Sequence, residues 1–469
     1  MTRPRLHVFG YSQVVLAAMA ILAAGAGAAA GCAAKPSGSA IGGSAGSQGG
    51  SGGGAGTTTT KTTGGDGGSI FTMGGGGQGG GKPACDQGLG TVDDDGDGYT
   101  EEQGDCNDCD ANANPAAAEV IAEKNPMDPN AILPDPADED CDGYIDEADV
   151  DLMPCDDNLA LDSNDPMDAV KAIGYCHVDK DGKVKFLTKA TWVLADGLPP
   201  GPSVDMAKYN LGHGLMDHFG KNDKPREGKR MLALSSGTAR NKNEPGFVAR
   251  NFDKGYSSNP PLTFTGESPA CPGVVVPKSS VQDAAAIELE LTAPSNVLSL
   301  EFSFNFRTYE FPQFICTQYN DFFWANFVQG NTNKNISFDS QMNAISVNAA
   351  FLSQCDCPPA GPGTCTAPPF PMAGQPTKMF DCQGTDLLDG SDFDGTTNPK
   401  PTYDGWTNAG SGWIITTTPV LPKQNVKLRF AVFDSGVLNG VKDHNVDSTV
   451  TIDRFRWHAI PAKNESQPE

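Results

Sequence analysis

The acidity of this chain is confined almost entirely to one short stretch. Residues 85–170 contain 27 Asp and Glu side chains against a single basic residue, Lys124, which is a balance of −26. Because the whole chain carries −25, the charges outside this stretch nearly cancel. Repulsion among so many carboxylates opposes compaction unless cations neutralise it. The stretch is therefore either a solvated acidic linker or a segment that folds around bound cations.

Two runs within the stretch have the alternating pattern of an EF-hand-like calcium loop. Such a loop takes oxygen ligands from alternate positions, one of them a backbone carbonyl at position 7, and has a Gly at position 6 for a sharp turn. Position 12 of the first run is Gly104, which has no side-chain oxygen, and we expect Asp105, Asp108 or Asp110 to supply the closing ligand instead. The ligands that we predict are Asp93, Asp95, Asp97, Tyr99, Glu101, Asp105 and Asp108 in the first run, and Asp138, Asp140, Asp142, Tyr144, Asp146 and Glu147 in the second.

The chemistry of these ligands favours calcium. They are all oxygen donors, which calcium prefers, whereas copper and zinc prefer imidazole and thiolate ligands. The chain has six His residues, and none lies within residues 85–170. We therefore predict bound Ca²⁺ with the affinity of extracellular modules, roughly 10⁻⁴ to 10⁻³ M.

The acidic segment also resembles a known repeat, the metal-binding motif of bacterial surface proteins that is named from a copper-binding envelope protein. The matching elements are Asp93-x-Asp-x-Asp-Gly98-Tyr99, Gly104-Asp105-Cys106-x-Asp108-x-Asp110, Pro115-Ala-Ala-Ala-Glu119 and Asp140-Cys141-Asp142-Gly143-x-x-Asp146-Glu147. Val120 and Ile121 stand where a Cys usually follows the third element, and Cys109 is additional. The resemblance therefore implies the carboxylate ligands and leaves the disulfide pairing of this segment open.

The N-terminus has the features of a secretion signal over residues 1–31. Arg3 and Arg5 precede an apolar run that ends in small residues before Cys32. The Gly31-Cys32 junction resembles a lipoprotein cleavage site, which makes Cys32 the expected lipidated residue and the membrane the expected partner. An uncleaved membrane anchor and a plain cleaved signal are the alternatives.

A tether follows the signal. Residues 32–83 are mainly Gly, Ser and Thr and contain too few apolar side chains to form a core. A flexible chain of this length has a root-mean-square reach of roughly 35–42 Å. We expect it to hold the rest of the protein away from the cell surface.

The cysteine count is consistent with export. Of the 13 Cys residues, 12 remain when Cys32 is set aside, and an even set in an exported chain indicates disulfides. Cys155 and Cys176 flank a short helical pattern and are the pair that we predict. The alternative, a zinc site at residues 106–109 or 355–357, lacks a His pair at suitable spacing.

The remaining chain, residues 153–462, has the pattern of a β-rich domain. A short helix is predicted between an N-cap at Asp165 and a stop at Gly174. Beyond it, several runs alternate apolar and polar side chains with a period of two. These runs are residues 287–291, 298–307 and 426–433, and residues 322–328, 413–417 and 450–457 are further strand candidates. They predict an antiparallel β-sandwich of jelly-roll type, preceded by the irregular acidic segment 84–152 and followed by a tail at 463–469.

Seven stretches of this region resemble the choice-of-anchor L domain of bacterial surface proteins. They are residues 155–168, 211–214, 226–237, 302–311, 318–323, 335–338 and 446–457. The resemblance implies an exported, anchored β-rich domain and names no reaction or ligand.

No catalytic constellation is evident. His213 and His218 are five residues apart, which is not the spacing of a helical zinc pair, and residues 235–237 lack the Gly-x-Ser-x-Gly elbow of a serine nucleophile. Five aromatic residues in or near loops could stack on sugar rings or simply pack at strand ends; they are Tyr309, Tyr319, Tyr403, Trp406 and Trp413.

We therefore predict an outer-membrane or cell-surface lipoprotein without enzymatic activity, which recognises or adheres to a surface glycan or protein. Its acidity argues against nucleic acid as a partner. A copper-binding envelope protein and a surface polysaccharide hydrolase are the alternative functions.

Overall fold

A computed structural model describes most of the chain after residue 89. The described residues are 90–121, 123–125, 128–133, 137–145, 155–178, 184–278, 281–349, 351–356, 370–372, 375–378, 386–394, 407–438, 441–442 and 446–469. The predicted signal, tether and Cys32 lie outside them. The chain divides into units of residues 1–79 and 80–469, and the described residues all belong to the second. Across these ranges, no helix has the length and hydrophobicity needed to span a bilayer.

Twenty strands account for most of the regular structure in the described ranges. In chain order they are β1 (Glu123–Asn125), β2 (Asp128–Leu133), β3 (Leu187–Val193), β4 (His213–Met216), β5 (Met231–Ser235), β6 (Ser257–Ser258), β7 (Val281–Thr292), β8 (Ser299–Thr308), β9 (Asn320–Gln329), β10 (Thr332–Asn335), β11 (Ile345–Ser346), β12 (Gln354–Asp356), β13 (Phe370–Met372), β14 (Gln375–Lys378), β15 (Thr407–Pro419), β16 (Asn425–Ser435), β17 (Val437–Leu438), β18 (Val441–Lys442), β19 (Ser448–His458) and β20 (Glu465–Pro468).

Two seven-stranded antiparallel sheets form the body of the protein. The first has the order β10-β9-β16-β7-β3, with β11 beside β9 and β6 beside β7. The second has the order β12-β15-β8-β19-β5-β4, with β20 beside β15. Successive long strands from β7 to β9, and then β15, β16 and β19, alternate between the sheets. The predicted antiparallel β-sandwich is confirmed, and each of its six longest strands overlaps one of the runs predicted as strands.

The core lies between the sheets. Phe302 and Phe304 of β8 are fully buried and face the other sheet, where they contact Phe430 of β16 and Phe323 of β9 with ring centroids 4.8 and 4.7 Å apart. The other face of β8 is also covered, because the strand is buried along its whole length. There Arg307 forms a fully buried ion pair with Asp223.

The described helices are short. Helix α1 (Pro166–Ala172) begins where predicted, because the Asp165 side chain accepts a hydrogen bond from the Met167 backbone N–H at 2.9 Å. Helix α2 (Met206–Asn210) is capped in the same way by Asp205. Two 3₁₀ helices span Glu101–Gln103 and Asp392–Asp394.

One feature of the sandwich differs from the sequence-based expectation. Strand β20 lies in the expected C-terminal tail, yet it pairs with β15 from Ile414 to Thr417, so the sandwich extends to Pro468. A single polar strand at a sheet edge has no apolar alternation that could reveal it. Of the loop aromatics, Tyr309 and Trp413 are buried and half-buried Tyr319 contacts the Phe314 ring, whereas Tyr403 and Trp406 lie outside the described residues.

Candidate metal centre

The first acidic run folds into a tight loop that its own side chains organise. The Asp93 carboxylate accepts hydrogen bonds from the backbone N–H groups of Gly96 at 2.6 Å and Gly98 at 3.0 Å. The Asp97 carboxylate accepts from the Tyr99 N–H at 2.8 Å. Gly98 has a φ of 105°, which a residue with a Cβ rarely adopts. This local bonding explains why alternate Asp residues and a Gly occur together here.

Asp95 is the centre of the first acidic cluster. Its carboxylate belongs to two groups, one with Asp93 and Asp108 and the other with Asp97 and Asp105. In each group one oxygen from every carboxylate lies within 4.8 Å of one oxygen from each of the others. We call these five residues the Asp95 cluster.

The chain returns to close the cluster after a single turn of 3₁₀ helix, Glu101–Gln103. Gly104 then adopts a φ of 100° and reverses the direction of the backbone. As a result Asp105 and Asp108 lie inside the cluster, where they are only 5% and 1% exposed. Asp110, the third possible closing residue, instead accepts hydrogen bonds from Asn112.

The cluster has the features of a cation site. One carboxylate oxygen of Asp97 and one of Asp105 are buried and accept no hydrogen bond from any residue described. Both oxygens of Glu101, which lies outside the two groups, are buried in the same way. Burial, together with the neighbouring carboxylates, raises the pKa of Asp105 to about 6. Burial also raises the pKa of Asp95, with a further contribution from the charges of Asp97 and Asp108. A divalent cation at this position would satisfy the buried oxygens and remove the repulsion.

The second run forms a smaller group. Asp138 and Asp140 lie with Glu119, and one oxygen of each is within 4.8 Å of the others. Asp138 organises this loop as Asp93 organises the first, because it accepts from the N–H groups of Asp142 and Gly143, both at 3.1 Å. We call Glu119, Asp138 and Asp140 the Asp138 group.

The other residues predicted for the second run are not brought into this group. Asp142 lies outside it and accepts a hydrogen bond from the Tyr144 N–H at 2.9 Å. The Tyr144 side chain is 55% exposed. Asp146 and Glu147 lie outside the described residues. Glu119 was not among the predicted ligands because it lies 19 residues before Asp138, although it ends the third motif element that the sequence contains.

A lysine side chain distinguishes the Asp138 group from the Asp95 cluster. Lys185, just before β3, places its ammonium nitrogen 2.8 Å from one carboxylate oxygen of Asp140. Both side chains are largely buried, at 15% and 4% exposed. The other Asp140 oxygen is buried and accepts no hydrogen bond from the described residues. The charge of this group is therefore already partly balanced by the sandwich.

Covalent and polar links join the two loops to each other and to the sandwich. A disulfide between Cys106 and Cys141 connects them, with an S–S distance of 2.06 Å. Asn296, in the connection from β7 to β8, donates to the Ala118 carbonyl at 2.8 Å and accepts from the Ala118 N–H at 3.0 Å. Asn296 therefore docks the acidic segment on the sandwich at Ala118, which lies in the sequence between the Asp95 cluster and the Asp138 group.

Two further disulfides lie within the described residues. Cys155 and Cys176, the pair expected from the sequence, are joined with an S–S distance of 1.99 Å. Cys271 is joined to Cys316. Cys109 and Cys355 are disulfide-bonded as well. Every Cys of the described acidic segment is therefore oxidised and offers no thiolate to a metal.

His213, considered above as a possible metal ligand, has a structural environment. Its ring stacks on Trp192 with centroids 3.9 Å apart and is 1% exposed. Burial, together with the charges of Arg240 and Lys254, lowers the pKa of His213 to about 3. His218 is exposed and pairs with its neighbour Asp217.

Comparison with known proteins adds no assignment: no family model, curated protein or solved structure matches the chain. The two resemblances given above stay predictions, and the function has to be argued from the geometry of the site.

Proposed function

We propose that this protein is an exported, lipid-anchored recognition or adhesion protein of the cell surface, in which calcium holds the acidic segment in its folded form. The β-sandwich would present the binding surface and perform no chemistry. Three disulfides in the described residues support an oxidising compartment, where such bonds persist.

The observation that carries the proposal is the convergence of five carboxylates at Asp95. Carboxylates that lie this close repel one another, and a buried carboxylate needs a hydrogen-bond donor or a positive charge beside it. In a solvated acidic linker, Asp105 and Asp108 would be exposed and repulsion would keep their oxygens away from Asp95. Here both residues are buried and have oxygens within 4.8 Å of Asp95. A bound cation would stabilise this arrangement.

The ligand set favours calcium over the copper of the alternative function. The Asp95 cluster offers only oxygen, and calcium accepts six to eight oxygen ligands in flexible geometry. Magnesium demands a stricter octahedron, and copper prefers imidazole or sulfur. The residues present therefore fit calcium.

Thermal unfolding of the full chain tests the proposal. The protein is first treated with chelator and then titrated separately with calcium, magnesium and copper. We expect millimolar calcium to raise the Tm, and magnesium and copper to raise it less. A Tm that calcium leaves unchanged, or that copper raises more than calcium does, would contradict the calcium assignment.

Two further measurements address the anchor and the absence of chemistry. Intact mass after expression in a lipoprotein-processing host should show acylation at Cys32, and an unmodified or uncleaved N-terminus would refute the anchor. A panel of polysaccharide substrates should yield no products. Turnover that survives purification would instead favour the surface hydrolase.

A further inference from the structure

A cleft lies where the first acidic loop meets the sandwich. Its volume is about 450 Å³, within the range of small-molecule sites, roughly 300–1,000 Å³. The loop contributes one wall through Gly98 and Tyr99, and the sandwich contributes Phe186, Pro294 and Lys423. These residues come from four separate parts of the chain, so the cleft exists only when the acidic segment is docked.

Polar contacts hold the two walls together. The Lys423 ammonium donates to the Asp97 carbonyl at 3.4 Å. Ser295 donates to Asn114 and to the Ala116 carbonyl, each at 3.2 Å. Lining residues of the cleft therefore join the acidic segment to the sandwich at two points, Lys423 and Ser295.

Two residues of the sandwich wall have an unusual backbone conformation. Phe186 and Lys423 have φ values of 60° and 59°, in the left-handed region that non-glycine residues seldom occupy. Such conformations cost free energy and cluster at ligand-binding positions. Both residues line the cleft.

The side chains of the cleft define the chemistry of its ligand. Tyr99 and Phe186 are each partly exposed and offer aromatic surface. Lys423 is exposed and offers hydrogen-bond donors, and the Tyr99 hydroxyl has no partner among the described residues. Aromatic faces pack against the C–H faces of sugar rings, while ammonium and phenol groups bond to sugar hydroxyls. The charge of −25 disfavours an anionic ligand.

We infer that this cleft binds a neutral saccharide. The inference rests on the proposed function and adds the place of recognition and the ligand class. Because one wall is the loop of the Asp95 cluster, binding depends on the ion that folds this loop. Calcium stabilises the folded loop that forms this wall, and Tyr99, Phe186 and Lys423 contact the sugar.

The chain supplies a matched pair of variants for the test. Tyr99 and Tyr144 occupy the same position in the two runs, where calcium would use only the backbone carbonyl. Tyr99 lines the cleft, and Tyr144 does not. Tyr99→Ala and Tyr144→Ala therefore perturb equivalent loop positions, and only the first removes a cleft side chain. Lys423→Ala provides a second cleft variant.

The full chain is applied with calcium to an array of neutral and acidic saccharides, and the affinity for the best ligand is then measured by calorimetry. We expect a neutral saccharide to bind, Tyr99→Ala to weaken binding about tenfold or more, as truncation of a central aromatic contact does, and Tyr144→Ala to leave it unchanged. Chelator should weaken binding to the same extent as Tyr99→Ala or further.

Each remaining outcome overturns a defined part of the account. No binding to any saccharide, binding to acidic saccharides alone, or equal binding by Tyr99→Ala and wild type overturns the cleft inference. The calcium-induced rise in Tm is measured on the same variants. If that rise is present in all of them, the proposed calcium role survives even where the cleft inference fails, and if it is absent from wild type, the proposed function itself fails.

Discussion

Asp95 allows the calcium proposal to be tested with one substitution. Its carboxylate is shared by the two groups of the Asp95 cluster, so Asp95→Asn removes a charge from both. With a dissociation constant of about 10⁻⁴ M, calcium at about 10 mM stabilises the folded state by about 2.7 kcal/mol per site. Unfolding of residues 80–469 gains roughly 0.8 kcal/mol per kelvin of entropy. One occupied site therefore raises the Tm by about 3 °C.

The assay is differential scanning calorimetry in chelator and in calcium. Asp95→Asn should lose the part of the calcium-induced rise that belongs to this cluster. In chelator its Tm should equal or exceed that of wild type, because a half-buried carboxylate that its neighbours repel has been removed. Asp94→Asn is the control, since Asp94 carries the same charge in the same loop and lies outside both groups.

The pattern across the two variants decides the outcome. If Asp95→Asn keeps the full rise in Tm, the cluster does not bind calcium. If Asp94→Asn loses as much as Asp95→Asn, the effect is one of net charge and not of ligand geometry.

Three further predictions concern other parts of the molecule. Asp223→Ala should destabilise the sandwich by about 3–5 kcal/mol in denaturant unfolding, because it leaves a buried arginine without its partner; a loss below about 1 kcal/mol would be at odds with the buried pair. Replacing Cys106 and Cys141 by Ser opens a loop with a sequence separation of 35 residues, which should cost roughly 4 kcal/mol and weaken calcium binding in calorimetry; unchanged affinity would show that the disulfide does not hold the loops together. Lys185→Met removes the ammonium from the Asp138 group, so calcium should stabilise this variant more than wild type in thermal melts; an equal or smaller calcium effect would mean that Lys185 does not compete with the ion.

The fold was predictable because its long strands carry a visible pattern. In residues 298–307 every second side chain is apolar, and β8 buries four of these five between the sheets, namely Leu300, Phe302, Phe304 and Phe306. The same alternation identifies β7 and β16, whereas β9, β15 and β19 contain apolar-rich runs without strict alternation. Strand β20 is polar and lies at an edge, so its place depends on pairing with β15 and not on its own sequence.

The candidate site was predictable only where its ligands are close in sequence. Asp93, Asp95 and Asp97 follow the loop pattern directly. The choice of Asp105 and Asp108 over Asp110 depends on how the backbone turns at Gly104, which the spacing of acidic residues does not specify.

Contacts distant in sequence were not predictable. Glu119 joins the Asp138 group from another element, and Lys185 reaches it from the sandwich, 45 residues beyond Asp140. Such partners depend on how the acidic segment docks, which follows from contacts such as those of Asn296 and from the Cys106–Cys141 disulfide. No local pattern of charge or hydrophobicity records these contacts.

The most direct test of the central claim is a crystal structure of the full chain grown with calcium, with anomalous data collected to locate the ion. The account predicts density at the centre of the Asp95 cluster, with carboxylate oxygens of Asp95, Asp97 and Asp105 about 2.3–2.6 Å from it. Aspartates turned outward into solvent with no density between them would contradict it.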